Sequence, residues 1–211
     1  RNPLTSLKSA TEILYETEDQ RQRSKLIDIL NHDVQRIERL ITDYSQMLKD
    51  EVALSKEKMK KINLKLIVKS VVDDFKNIYE VKRGIKIILN DSNNQDEYFI
   101  NGIENRIEQI IANLLDNSIS FSNDNKKISV EIHKDKNEKI ILKVIDEGKG
   151  FKETNTKKIF DRFYSNRPDN FGEHSGLGLN IVKNLVDLHG ATIYASNNAV
   201  QKGAKVEITF P

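Results

Sequence analysis

The 211-residue sequence contains no cysteine, so it has neither a disulfide framework nor a cysteine-ligated metal, an absence that fits a reducing compartment. Its four histidines, His32, His133, His174 and His189, are scattered and lack the spacing of a zinc site. Neither sign of charge dominates, since 34 basic residues against 32 acidic ones leave a formal net charge of +2. Such a balance creates no global field toward nucleic acid or an acidic membrane, and no nucleic-acid partner is expected. No apolar run reaches membrane-spanning length, no segment reads as a signal peptide, and internal repeats and low-complexity tracts are not evident. What remains is a chain with 37% hydrophobic and 31% charged residues, too apolar for wholesale disorder and suited to folding in water. Its length allows one substantial core plus a smaller unit, hence two domains.

Apolar positions mark both. From Ile27 they run through Leu30, Val34, Ile37, Ile41, Tyr44 and Leu48, alternating three and four apart as in a coiled-coil seam. Leu4, Leu7, Thr11 and Leu14 keep the same spacing, and the polar stretch 16–25 reads as the turn between two helices. One hairpin buries too little to stand alone, so a second, most simply from an identical chain, is expected to complete a four-helix bundle. Residues 1–52 form this predicted dimerisation domain, 53–61 a charged linker, and 62–211 a second domain. In the latter, strands are expected near 62–64, 85–89, 98–100, 128–133, 140–145, 192–196 and 205–210. Helices are expected to carry Ile67, Val71, Val72, Phe75 and Ile78, then Ile107, Ile110, Ile111, Leu114 and Leu115, and a last one to run from Gly176 to Leu188. This order predicts an α+β fold, an α/β sandwich with one mixed sheet covered by helices on one face.

Several blocks in this second domain carry chemistry. Asn113 and Asn117 lie four apart and leave one face of their helix; amide oxygens suit magnesium, which prefers oxygen ligands and takes only one or two from protein. Two solvated asparagines would look the same. Asp146 ends an apolar strand in Asp146-Glu147-Gly148-Lys149-Gly150. Its carboxylate can accept from an exocyclic amine such as adenine N6 while Gly148 and Gly150 admit a ligand close to backbone, although a plain turn uses the same residues. Gly176-Leu177-Gly178 opens a helix whose free N–H groups suit phosphate oxygens, without the residues of a Walker A loop or a dinucleotide fingerprint. His32 is read as a solvated surface histidine.

In their order, Asn113 with Asn117, the Asp146 block, Phe160 with Phe163, and Gly176-Leu177-Gly178, following a hairpin that opens Arg1-Asn2-Pro3-Leu4-Thr5, resemble the core of a sensor histidine kinase of two-component systems. The resemblance covers nearly the whole chain. It implies ATP and Mg2+ as cofactors, with Asn117, and Asn113 beside it, holding magnesium, Asp146 receiving adenine, and Gly148, Gly150, Gly176, Leu177 and Gly178 lining the nucleotide. Phe160 and Phe163 would anchor a lid over 165–175, and Tyr164 would lie against the ligand. Arg162, with Arg167 second to it, would offset charge on the transferring phosphoryl group. Two residues depart from the family pattern, His174 at a customary glycine and Ser120 at a customary phosphate-binding lysine.

The family's phosphate-accepting histidine stands three residues before the arginine of this opening. The resemblance therefore implies an acceptor upstream of Arg1 and a chain that is the C-terminal piece of a longer protein. Asn2 would orient water for dephosphorylating the response regulator, and also cap the helix that Pro3 begins. The implied partners are a second copy of the chain and the regulator's receiver domain. Membrane attachment is implied only through other segments, making this the cytoplasmic part of a bacterial inner-membrane protein. Within the family, Phe163-Tyr164-Ser165-Asn166-Arg167-Pro168 leans toward the α-proteobacterial sensors of acid or envelope stress. Two further readings stand beside the kinase: a gyrase-like ATPase, weakened because Asn113 occupies the place of the water-activating glutamate, and a catalytically silent nucleotide-binding scaffold.

Overall fold

The computed structural model describes residues 3–54, 57–91, 97–152, 156–161, 164, 176–198 and 202–211. The chain divides near residue 55 into a helical unit and an α/β unit. In the first, α1 (Pro3–Glu16) and α2 (Gln20–Leu54) pack as a hairpin. The turn is shorter than expected because α2 begins at Gln20. Asp19 caps it, accepting from the Arg21 amide at 2.8 Å, and the following Gln and Arg residues are good helix formers that apolar periodicity cannot register. From the first turns of α2, Arg23 donates to the carbonyls of Thr17 at 3.0 Å and Leu14 at 3.5 Å, closing the end of α1.

Among the described side chains of this unit only Ala10 and Asp33 are buried. Seam residues Leu4, Ile27, Val34 and Ile41 are 65%, 46%, 44% and 61% exposed. The hairpin thus leaves its own apolar stripe half uncovered. His32 is exposed, as read from the sequence. The side chains of Tyr44 and Leu48 lie outside the described residues. No described helix is long and apolar enough to cross a membrane.

The α/β unit runs β1 (Lys60–Asn63), α3 (Leu64–Arg83), β2 (Lys86–Asp91), β3 (Phe99–Gly102), α4 (Glu104–Phe121), β4 (Lys127–Lys134), β5 (Ile140–Asp146), a short 3-10 helix (Thr156–Phe160), α5 (Gly178–Leu188), β6 (Thr192–Asn197) and β7 (Ala204–Phe210). Five strands form a mixed sheet in the order β2-β4-β5-β7-β6, with β2 parallel to β4 and the remaining pairs antiparallel. The expected single sheet is in fact two, because among the described residues β1 and β3 pair only with each other, Ile62 opposite Ile100. Local pattern marks a strand but not its distant partner. β1 also starts at Lys60, inside the segment expected to be linker.

Burial alternates along the central strands, so Val130, Ile132, Leu142, Val144, Val206 and Ile208 form one apolar face. Helices α3, α4 and α5 contact β2, β5 and β6 respectively. Ile107, Ile110, Ile111, Leu114 and Leu115 of α4 are each at most 2% exposed, as their spacing requires. Burial of such side chains stabilises by about 1.5–3 kcal/mol each, so α4 is fixed chiefly by this face.

The far end of α4 is held by one side chain. Arg83 donates to the Ile119 and Ser122 carbonyls, each at 2.7 Å, and pairs with Asp124 at 2.7 Å. It satisfies orphan carbonyls of the last turn with a cation, the sign a helix C-terminus favours. Replacing it by Met leaves those acceptors without the guanidinium and should lower the unfolding free energy in urea by about 2–4 kcal/mol. A loss below about 1 kcal/mol would show that solvent replaces the clamp.

Candidate functional site

Two helices bring the first group of residues together. Asn113 and Asn117 sit half-buried on α4, where the Asn113 amide Nδ2 donates to the Gln109 carbonyl at 3.0 Å. That bond orients the amide and leaves its Oδ1 on the other side. Facing it is Gly178, the first residue of α5, where a Cβ would stand 3.3 Å from Asn113 Oδ1 and 3.6 Å from Asn117 Nδ2. The helix starts at Gly178, not at Gly176 as expected from the sequence. Gly176 has φ +73°, a left-handed conformation outside the helix, and Leu177 is fully buried behind the turn. Leu177 at the N-cap offers no side-chain cap of its own, and a helix start of this kind suits an anion.

The second group is built on the end of β5. Asp146 is buried, and its Oδ1 accepts from the amides of Gly148 at 2.8 Å and Ala204 at 3.0 Å. Among the described residues no donor engages its Oδ2. The turn lies against α4, since a Cβ on Gly148 would come within 2.6 Å of the Phe121 carbonyl. A Cβ on Gly203, which has φ +150°, would collide with the Asp146 carbonyl oxygen. Asn197 steadies the chain beyond the turn, accepting from the Phe151 amide at 2.6 Å and donating to the Phe151 carbonyl at 3.0 Å. Beside it, Gly150 has its backbone under the Asn197 side chain.

Gly203, Ala204 and Asn197 were missed by sequence reasoning. They stand more than fifty residues downstream of Asp146 and form no motif with it; a lone glycine opening the last strand was the one available signal. Phe160 ends the 3-10 helix, buried, and its carbonyl accepts from Asn180 on α5 at 2.8 Å. The Tyr164 amide donates to the Asp161 carbonyl at 3.3 Å. Asn2, Arg162, Phe163, Arg167, His174 and the expected lid over 165–175 lie outside the described residues. Ser120, in the place of the customary lysine, is buried and turned back on its own helix, donating to the Asp116 carbonyl at 2.7 Å.

Burial pushes the Asp146 carboxyl above its ordinary pKa, outweighing the Ala204 and Gly148 amides, which favour the ionised form. A group whose pKa is raised on folding stabilises the fold fully below its unfolded value and loses that contribution as pH rises through the raised value. Ionised Asp146 is therefore a cost to the fold at neutral pH. Asp146→Asn, which retains an acceptor for both amides, should be more stable than the parent at pH 7, with the difference vanishing below the ordinary value of 3.8. Urea melts across that range decide it, and a less stable variant at pH 7 would refute the argument.

Residues 102–211 match the family described as Histidine kinase-, DNA gyrase B-, and HSP90-like ATPase. The Sensor protein ChvG of Agrobacterium fabrum is 33% identical over 221 residues, an alignment covering 100% of this chain and 37% of that protein. The chain thus spans little more than a third of that relative. The catalytic domain of histidine kinase ThkA has the same fold, at TM-score 0.63 and 23% identity, covering 74% of this chain and 96% of that one. ThkA in complex with response regulator protein TrrA aligns with 100% of this chain and 58% of its own, at TM-score 0.66 and 23% identity. The matched segment holds α4, the Asp146 turn and the glycine-led start of α5, the three parts that meet at the site. By that match, over more than half its length, the chain belongs to the histidine kinase-, DNA gyrase B- and HSP90-like ATPase family.

Proposed function

We propose that this chain is the cytoplasmic catalytic core of a sensor histidine kinase, which binds Mg-ATP and passes the γ-phosphate to a histidine upstream of Arg1, for relay to a response-regulator aspartate. The observation that carries this reading is the half-engaged Asp146 carboxylate. One oxygen is tied to two backbone amides and the other faces no protein donor among the described residues. A buried acceptor in that state suits an exocyclic amine such as that of adenine. Gly148 and Gly150 admit the base close to backbone, and the glycine-led start of α5 at Gly176, Leu177 and Gly178 suits the phosphates.

Among the described residues no group of three His, Asp or Glu side chains could hold a metal. The available donors are the amides of Asn117 and Asn113, which fit magnesium provided that nucleotide phosphates and water complete its shell. When bound, magnesium offsets negative charge on the phosphates. Asn113, being an amide, cannot activate water at neutral pH, which favours transfer to an imidazole over hydrolysis. Arg162 is assigned to the charge that develops on the phosphoryl group, Phe160 and Phe163 to the anchoring of the lid, Tyr164 to the nucleotide, and Asn2 to water in the phosphatase reaction. The half-exposed stripe of the hairpin supports a homodimer through a four-helix bundle. A receiver domain as partner is supported by the ThkA complex, and a place on the cytoplasmic side of an inner membrane is part of the same proposal.

Incubation with γ-labelled ATP tests the whole reading. A protein extended upstream through the third residue before Arg1 should incorporate acid-labile phosphate, and the 211-residue chain should not. ATP binding without incorporation in the longer protein would make this a nucleotide-binding scaffold and remove the roles of Asn113, Arg162 and Asn2. For the adenine contact, Asp146→Asn places N–H groups toward the amine, and ATP affinity should fall by about 1.5–3 kcal/mol. In the parent, affinity should also weaken as pH falls through the raised Asp146 pKa, while the variant stays flat. Unchanged ATP affinity in calorimetry would exclude Asp146 as the adenine acceptor.

A further inference from the structure

His189 belongs to none of the blocks described above, yet it is buried with both ring nitrogens engaged. It ends α5, where Nδ1 lies 2.7 Å from the Leu185 carbonyl and Nε2 lies 3.1 Å from the Ile103 amide. An amide only donates and a carbonyl only accepts, so Nδ1 carries the proton and Nε2 is the acceptor. Ile103 is the residue that begins α4, and it has no side-chain cap of its own. The imidazole is therefore a cross-helix bond between the end of α5 and the beginning of α4. Gly102 admits the ring close to backbone, since a Cβ there would stand only 3.1 Å from His189 Cδ2 and 3.3 Å from Nε2.

The other end of α5 touches α4 as well, where Gly178 abuts Asn113 and Asn117. The helices thus run antiparallel, and their spans agree. From His189 back to Gly178 is eleven residues, about 16 Å of helix at 1.5 Å per residue. Along α4, Asn113 and Asn117 lie ten and fourteen residues beyond Ile103, about 15 and 21 Å. Between these ends the buried residues of α5 are Val182, Leu185 and Val186. Apolar contact of this kind is non-directional and tolerates sliding, whereas a hydrogen bond does not.

We infer that His189 is a positioning residue: its bond to the Ile103 amide sets how far α5 is slid along α4, and so places the glycine-led start of α5 against Asn113 and Asn117. The inference rests on the reading of that place as the magnesium and phosphate end of an ATP site. The adenine end, on Asp146 and the β5 turn, does not depend on this register. Loss of the bond should therefore separate the two halves of the ligand.

The experiment compares Mg-ATP and adenosine binding to the whole 211-residue chain, by calorimetry and by NMR titration, with thermal melting as the check of folding. His189→Leu fills the space without an acceptor, and should weaken Mg-ATP binding about tenfold, one hydrogen bond's worth, with adenosine affinity unchanged. His189→Gln, whose amide oxygen reaches toward Ile103, should stay within about twofold of the parent for both ligands. His189→Asn keeps a donor for Leu185 but falls short of Ile103; it should behave as the Leu variant, and it decides the matter if the Leu variant does not fold. Equal loss of both ligands, or full Mg-ATP affinity without the acceptor, would overturn the positioning role. A parent chain that binds neither ligand would overturn the ATP reading itself, a result distinct from either.

Discussion

Three glycines let separate stretches of backbone close on the second half of α4 and on the strand end beside it. Gly148 rests on the last carbonyl of α4, Gly178 on the paired asparagines, and Gly203 on the carbonyl of Asp146. A methyl group on Gly148 or Gly203 would collide with backbone, so a neighbouring element would have to move, and one on Gly178 would crowd the Asn113 amide. The apolar face of α4 then determines where this convergence occurs. With five of its aliphatic residues buried in the core, and Arg83 holding its last carbonyls, α4 acts as the fixed body to which the Asp146 turn and α5 are referred.

Much of this arrangement was legible in the sequence because it is local. Spacing of four put Asn113 and Asn117 on one face of a helix, and an apolar run ending in Asp-Glu-Gly-Lys-Gly read as a strand passing into a turn. The seam from Ile27 onward gave a helix and a face needing cover, and both are present in the hairpin. What escaped was non-local or polar. The pairing of β1 with β3 joins segments almost forty residues apart, and nothing in either strand names its partner. The first turns of α2 are polar all round, so only the Asp19 cap could have announced them. The amides that hold Asp146 come partly from Ala204, across the sheet, and backbone donors leave no trace in residue identity. Likewise, His189 looked like one scattered histidine because its partners are a carbonyl and an amide.

The buried carboxylate shows why such a site is not optimised for the fold alone. Water would solvate Asp146 better than two amides do, and the folded chain accepts that cost at a carboxylate with only one of its oxygens engaged among the described residues. An apolar or amide side chain there would suit the unliganded protein better. With Asp146 as the proposed adenine acceptor, stability and recognition pull this position in opposite directions.

The 3-10 helix has a consequence beyond the anchoring of Phe160. It lies against β6, the outermost strand of the sheet, whose sequence Thr-Ile-Tyr-Ala-Ser-Asn carries no charge at all. An uncharged edge strand is a template on which a second molecule can add its own strand, and proteins commonly blunt such edges with lysine or proline. This edge is blocked differently: the Thr156 hydroxyl donates to the Ala195 carbonyl at 2.7 Å, occupying an acceptor in the middle of the strand. The segment that carries Phe160 therefore also covers part of the border of the sheet, and any motion that lifted it would bare an edge on which another strand could pair.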